Sequence, residues 1–498
     1  MVLTPEKRQW IFIAVVVIIV GFAFQGSRGL YETTEGRYAL SAREMAESGN
    51  WLEPTLAGIP HWSKPPLTYW TIAAGLKLFG MNEWGARFFN AMSLIVTALA
   101  VSMLGTTMWD RKTGMLAGLI YATSPFPVIA AFTLNADTLV CLWEVLAILC
   151  FWKAVRVQSR VKVGYWVIGI WVFLGFGFMT KGPVALMPLL PIMAFRSQQP
   201  KRERKFPLLP PLGLFLFVIL GFSWYLYEAS RHPGLFEYFV GEEIIKRVAT
   251  DTADRYYEWY QPIRLYLPVL LLGGGLWSYY LWPLVRRQQL YRVRTLLAVL
   301  KTSGQALFLA TWLVPPLIIF SISQSRLPNY VLPIFPAIAL AIARHLGKTW
   351  AGSTLPRQIT LVVAISAAVL IIVKGAASYW YEDRRDMRAL YRQCQPYDQP
   401  QTTLFVLFRD RKSFGLEFYL QSPVARTFSP AALLERIENE RQSVHRYVFV
   451  TKHDYGKSLL EALAEMELQV KTWGNPYWLL ARVEESGDQT PPYEKPGP

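Results

Sequence analysis

Long apolar runs recur from one end of this sequence almost to the other, and they constrain the fold more than any other feature. They cover Trp10–Phe24, Phe88–Met108, Val163–Met179, Phe206–Tyr227, Ile263–Val285, Ala306–Ser323 and Ile359–Ala377. Several approach or reach the ~20 residues that an α-helix needs to cross a bilayer. Only 17% of the 498 residues are charged, against about 25% in a typical soluble domain. The expected fold is therefore an all-α polytopic membrane protein. The first run lacks a small-residue cleavage site and is followed by further spans, so it reads as a retained helix. Met115–Phe132, Thr138–Trp152 and Val184–Phe195 are short or interrupted. With them the count comes to about 11 to 13 transmembrane helices.

The net charge of +16 does not point to nucleic acid, because of where it sits. Lys and Arg gather in short loops: Lys7–Arg8, Arg111–Lys112, Lys153–Lys162, Arg196–Lys205, Arg286–Arg294 and Arg344–Arg357. Placing these loops in the cytoplasm lets the spans alternate without conflict. The N-terminus is then cytoplasmic, and segments 25–85 and 228–262 become long external loops of a membrane domain covering 1–378. From 379 to 483 the composition changes. "TTLFVLF", "HRYVFVTK" and "PYWLLARV" read as strands, and "PAALLERIENERQS" and "YGKSLLEALAEMEL" as amphipathic helices. This stretch is expected to be a small C-terminal α/β domain, periplasmic or extracellular. Residues 484–498 read as a disordered tail. The three cysteines, Cys141, Cys150 and Cys394, imply no disulfide framework.

The first external loop carries five glutamates, Glu32, Glu35, Glu44, Glu47 and Glu53. Thr33 or Thr34 can cap a short helix there and Gly49 can stop it; a second amphipathic piece runs from Pro66 to Phe79. Three short external segments each hold one cation near a Pro or Gly: "HWSKPPLTYW" (Lys64), "FMTKGPV" (Lys181) and "SQSRLPNYVLP" (Arg326). Cations beside an acidic loop at this depth suit a shared anion site, and the natural anion is a lipid-linked phosphate. Alternatively, each snorkels to lipid headgroups. Asp137 lies at the external end of a span, where facing lipid is costly. It is either an interfacial cap or a polar partner for the glutamates. The spans read as nearly charge-free, which disfavours a transporter or flippase of lipid-linked sugars. That remains the alternative function class.

The series Arg37-Tyr38-Ala39, Arg43-Glu44-Met45, Gly49-Asn50-Trp51, Lys64-Pro65 and Phe79-Gly80, with "MTKGPVAL" and "SRLPNYVLPIFPAIAL", resembles bacterial membrane glycosyltransferases related to protein O-mannosyltransferases. It is especially similar to the lipid A aminoarabinose transferase branch. The resemblance implies a GT-C fold and a sugar donor on polyprenyl phosphate. The acceptor would be a hydroxyl of a lipid A-like lipid, a glycan or a protein, in the bacterial inner membrane. It implies a catalytic carboxylate in the first loop. Where the family has Asp-Glu, this chain has Thr34-Glu35, so Glu35, or else Glu32, would be the base. Asp137 matches a second carboxylate, and Lys64 and Lys181 match phosphate-contacting lysines. Arg326 and Tyr330 fall in the Leu-Pro-x-Tyr segment, and Arg37 follows the acidic pair. Glu242, Glu243 and Arg247 are weaker candidates for the acceptor side. Some aminoarabinose transferases bind zinc through positions held here by Ser63 and Ile244. No catalytic metal is expected, and His61 and His232 read as isolated.

Overall fold

The computed structural model describes residues 5–200, 206–241, 258–287, 289, 291–350, 355–379, 384–440, 446–465, 468 and 470–483. Helix α1 (Pro5–Phe22) leads into α2 (Thr34–Ser48), a short hairpin β1 (Thr55–Leu56) and β2 (Ile59–Pro60), and α3 (Leu67–Phe79). Then come α4 (Glu83–Met108), α5 (Arg111–Ala122), α6 (Pro125–Ala131), α7 (Asp137–Arg156), α8 (Arg160–Lys181), α9 (Leu189–Gln198) and α10 (Pro211–Arg231). Local signals set these boundaries. Gly49, at φ 72°, ends α2 by donating its amide to the Met45 carbonyl. Asn82 and Asp110 cap α4 and α5 through their side chains. Ala57 and Gly58 both have positive φ, as a two-residue hairpin turn requires.

Seven helices among the described residues are long and apolar enough to cross a membrane: α4, α7, α8, α10, 304–322, 328–349 and 357–379. Two bent pairs raise the number to nine, and Trp10–Phe22 is a shorter apolar helix. The lower count has a physical cause. Met115–Phe132 bends by 57° between α5 and α6, and Ile263–Val285 bends by 93° after Leu272, where three glycines follow in sequence. Val184–Phe195 divides into a 3₁₀ turn, Gly182–Leu186, and the short α9. Helices α4, α7 and 328–349 form the interior, while α10, 304–322 and 357–379 are mostly exposed. Their outward side chains, such as Phe215, Ile219, Ile318, Leu361 and Ile372, are apolar, as lipid-facing groups must be. The chain is a multi-pass membrane protein.

The spans are not free of charge. Arg87 in α4, Glu144 in α7 and Lys374 in the 357–379 helix are buried. Lys374 donates to the carbonyls of Val20 and Gly21 at 3.1 and 3.3 Å, which lets a cation persist inside the bundle. Helices α4 and α5 meet through small residues. A Cβ on Gly114 would lie 2.1 Å from Thr106 Oγ1 and 2.3 Å from the Ser102 carbonyl oxygen, so these backbones approach as closely as small residues allow.

Past the last long helix lies a five-stranded sheet of order β4–β3–β5–β7–β6, made from β3 (Thr403–Phe408), β4 (Val424–Thr427), β5 (Arg446–Lys452), β6 (Val470–Gly474) and β7 (Trp478–Val483). Three of these strands match the expected ones. β4 and β6 escaped notice because they are short and their apolar residues are few. β3 is buried on both faces: Leu404, Val406 and Phe408 pack with Leu433 and Leu459, whereas Phe405 and Leu407 pack with Met387 and Leu416.

The sheet region docks on α2. Arg43 donates to the carbonyls of Glu417, Phe418 and Leu420 at 3.1, 2.8 and 2.7 Å. Tyr419 donates its hydroxyl proton to Glu83 at 2.7 Å and accepts from the Leu30 amide at 2.9 Å. The base of α2 is fixed by one carboxylate. Glu35 Oε1 accepts from Arg28, Arg87 and the Leu134 amide; Oε2 accepts from Arg28, Arg87 and the Tyr31 amide. All six distances lie between 2.7 and 3.1 Å. Burial alone would push this carboxyl up, but the two guanidiniums outweigh it and hold the group at about 2.

Two outcomes follow from this packing. Gly114→Leu should lower the melting temperature of the purified protein, since overpacking costs about 1–3 kcal/mol even where side chains can yield, and here backbone blocks them. Glu35→Ala should cost about 3–5 kcal/mol because it strands two buried cations. Glu35 has its folded pKa depressed, so its contribution is fully present above the ordinary value of 4.5 and fades as pH falls toward 2. A pH series of melting curves should show that loss in the wild type and not in Glu35→Ala.

Candidate active site

The residues singled out in the sequence come from four separate stretches, and most of them converge. A polar cavity of about 340 Å³ is lined by Glu32, Glu35, Arg37, Lys64, Asp137, Lys181 and Tyr330, among others. The pieces that bring them together are the start of α2, the loop before α3, the first residue of α7, the end of α8 and the turn at Pro328–Ile334. Pro and Gly after each cation hold those turns: Gly182, at φ 75°, ends α8 beside Lys181.

Lys181 forms an ion pair with Asp137, and its ammonium lies 4.3 Å from the centre of the Tyr330 ring. Asp137 thus faces a cation inside the protein and not lipid. Lys64 is partly buried and donates to its neighbour Ser63's carbonyl. Arg37 donates to the Thr33 carbonyl at 3.2 Å and keeps the rest of its guanidinium on the cavity side.

A second cavity, about 350 Å³ and mainly apolar, adjoins the first. Phe178, Phe222, Tyr225, Phe239 and Ile319 line it, and Ser63, Lys64, Lys181 and Tyr330 belong to both cavities. The two lysines therefore stand where an apolar slot opens into a polar chamber. A third, larger cavity of about 800 Å³ lies against the sheet region. It is lined by Arg384, Arg385, Arg409, Arg411, Lys412 and Lys452, and shares Glu32, Thr33 and Arg385 with the polar chamber.

Glu32 and Glu35 differ sharply in environment. Every lone pair of Glu35 is engaged in the arrangement described above, which leaves none to accept a substrate proton. Its expected role as base is corrected on that ground. Glu32 accepts one hydrogen bond, from the Gly415 amide to Oε1, and its buried Oε2 has no hydrogen-bond partner. Burial pushes the Glu32 carboxyl up to about 8; the Gly415 amide opposes this, Asp410 adds to it, and Arg37 and Arg426 oppose it. Glu32 separates the polar chamber from the arginine-rich cavity.

Arg326 does not line the chamber. It is buried and donates to the carbonyls of Ser321 and Glu258 at 3.2 and 3.1 Å, so it braces the turn that carries Tyr330. Its expected place at the phosphate is corrected accordingly. Glu242, Glu243 and Arg247 lie outside the described residues. Arg28, Arg87 and Arg385 escaped the sequence reading. Arg28 and Arg87 sit at the edges of apolar runs and look like interfacial charges, and Arg385 lies more than 300 positions from the glutamate it borders.

The zinc positions implied by the resemblance do not make a metal site here. Ser63 is hydrogen bonded to His61 Nε2 at 2.7 Å, and Ile244 carries no donor atom and is outside the described residues. His232 is not isolated: it meets Glu53 and Glu228.

Known proteins give these features a context. The family described as dolichyl-phosphate-mannose-protein mannosyltransferase matches residues 63–225. An undecaprenyl phosphate-α-4-amino-4-deoxy-L-arabinose arabinosyl transferase of Sodalis glossinidius is 32% identical over 71% of this chain and 62% of its own length. The enzyme of that name from Pseudomonas savastanoi is 32% identical over 65% of this chain and 59% of its own length. The chain thus aligns with about three fifths of these relatives. Among solved structures, ArnT from Cupriavidus metallidurans bound to undecaprenyl phosphate superposes with a TM-score of 0.73 at 19% identity, covering 95% of this chain and 97% of that one. The archaeal oligosaccharyltransferase AglB from Archaeoglobus fulgidus superposes at 0.55, with 13% identity over 95% of this chain and 74% of that one. The protein has the GT-C fold and is related to the membrane glycosyltransferases of the lipid A aminoarabinose transferase group.

Proposed function

We propose that this protein is a membrane glycosyltransferase of the bacterial inner membrane. It moves a sugar from a polyprenyl-phosphate donor to a hydroxyl of a cell-envelope acceptor, on the face opposite the cytoplasm. The observation that carries this reading is the pair of adjoining cavities, one apolar and one polar, that share Lys64 and Lys181. A polyprenyl phosphate has the same division: an isoprenoid chain, an anion and a sugar. The chain would lie among Phe178, Phe222 and Phe239, the phosphate between the lysines beside Tyr330 and Arg37, and the sugar in the polar chamber. The cationic short loops put the N-terminus in the cytoplasm and the sheet region outside.

In the reaction, Glu32 Oε2 takes the proton of the acceptor hydroxyl as its oxygen attacks the anomeric carbon. The bond from that carbon to the phosphate oxygen breaks, and its electron pair leaves with the phosphate. The lysines balance the charge that develops there, where little water competes. Asp137 holds the Lys181 ammonium in place. Attack opposite the phosphate would invert the anomeric carbon. The arginine-rich cavity beyond Glu32 is the acceptor's approach. Buried charges within spans could favour a transporter or flippase. However, Arg87 is spent on Glu35 and Lys374 on main-chain carbonyls, so neither lines a path across the membrane.

The test uses the purified full chain in lipid nanodiscs with an undecaprenyl-phosphate-linked sugar. Acceptors are identified beforehand by mass spectrometry of envelope lipids and glycoproteins from a deletion strain. Lys64→Ala and Lys181→Ala should each reduce transfer by about 10²–10³-fold while insertion stays normal. Glu32→Gln should reduce kcat by about 10²–10⁴-fold. Because the raised pKa keeps Glu32 protonated at lower pH, wild-type kcat/KM should climb with pH and level off above about 8. Full activity in Glu32→Gln, or a profile flat from pH 6 to 9, would remove Glu32 as the base.

A further inference from the structure

We propose that Glu53, Glu228 and His232 form a binding site for a divalent transition-metal ion of the zinc class, which ties the loop carrying Lys64 to the end of α10. The inference is independent of the reaction proposed above.

The donor atoms of these three side chains all lie within 4.8 Å of one another. His232 Nε2 is 3.5 Å from Glu228 Oε2 and 3.8 Å from Glu53 Oε2, separations that an ion with bonds of about 2.0–2.2 Å can draw together. The residues come from two distant stretches. Glu228 and His232 are one helical turn apart at the end of α10, and Glu53 follows the Gly49–Trp51 turn after α2.

The stronger observation is Glu228. Its side chain is completely buried, and neither carboxylate oxygen accepts a hydrogen bond. His232 Nε2, which points into the same cluster, also lacks a hydrogen-bond partner. A buried carboxylate needs a compensating charge or donors, and a second carboxylate beside it makes the need greater. The nearest basic residue in sequence does not supply it: Arg231 lays its guanidinium over the Tyr227 ring, 5.5 Å from its centre. One divalent cation would answer both carboxylates and the imidazole nitrogen. Two oxygens with one imidazole favour zinc over magnesium or calcium, which prefer all-oxygen shells.

The position gives the ion a structural task. Trp224 of α10 donates to the Leu52 carbonyl at 2.7 Å, and the Trp62 ring packs on His232 with centroids 4.8 Å apart. Trp62 lines the apolar cavity two residues before Lys64. Metal at this point would fix residues 52–64 against α10 and hold that wall of the cavity in place.

The probe is Zn²⁺ alone, added to the chelator-treated full chain in detergent. Metal content after desalting is read by mass spectrometry, and stability by thermal melting. About one zinc per chain should be retained, with a higher melting temperature. His232→Ala and Glu228→Gln should lose both effects, while Glu32→Gln keeps them. If either variant fails to fold, Glu53→Gln, whose side chain is partly exposed, should bind zinc at least about tenfold more weakly. Retention of less than about a tenth of an equivalent by the wild type, or undiminished binding in all the variants that fold, would overturn the site.

Discussion

Six hydrogen bonds converge on Glu35, and the geometry beyond them depends on that carboxylate. It joins the loop after α1 through Arg28, the interior of α4 through Arg87 and the loop before α7 through the Leu134 amide. Two arginines facing one carboxylate leave a net positive group in a buried place. The surplus is met by main-chain carbonyls: Arg87 donates to those of Arg28 and Gly29, and Arg28 to that of Phe132. Without the anion the guanidiniums would repel each other where water cannot screen them. With it, the start of α2 has a fixed position, and Glu32 and Arg37 on either side inherit that position.

Two nearby glutamates therefore do opposite work. Glu35 is stabilised as an anion by direct pairing, and Glu32, three residues earlier, is held up in pKa by burial and receives only one amide hydrogen bond. A carboxylate that is already satisfied makes good structure and a poor base. One with an unsatisfied oxygen next to a cavity makes the reverse. The sheet region takes part in this division, because the amide that Glu32 accepts comes from Gly415 and the adjacent main-chain bond runs from the Glu32 amide to the Arg385 carbonyl at 2.9 Å.

Much of this was legible in the sequence. A lone cation next to Pro or Gly outside an apolar run signalled Lys64 and Lys181, and both reach the chamber with Asp137 and Tyr330. Arg326 carries the same signal and ends elsewhere, because a guanidinium can be used up by carbonyls that no local pattern announces. Choosing between Glu32 and Glu35 was beyond the sequence for a similar reason: Arg28 and Arg87 lie 59 positions apart, and only the folded chain closes both on one carboxylate. The bends at Thr123–Ser124 and Gly273–Gly275 divided runs whose hydropathy reads as continuous. The role of His232 depended on Glu53, nearly 180 residues away.

The central claim is that a lipid-borne phosphate rests where the apolar and polar cavities meet. It is tested most directly by an electron cryo-microscopy structure of the full chain with undecaprenyl phosphate. The account predicts phosphate density between Lys64 and Lys181, beside Tyr330, with the isoprenoid chain running along Phe178, Phe222 and Phe239. Phosphate density away from both lysines, or an isoprenoid chain outside that slot, would contradict it.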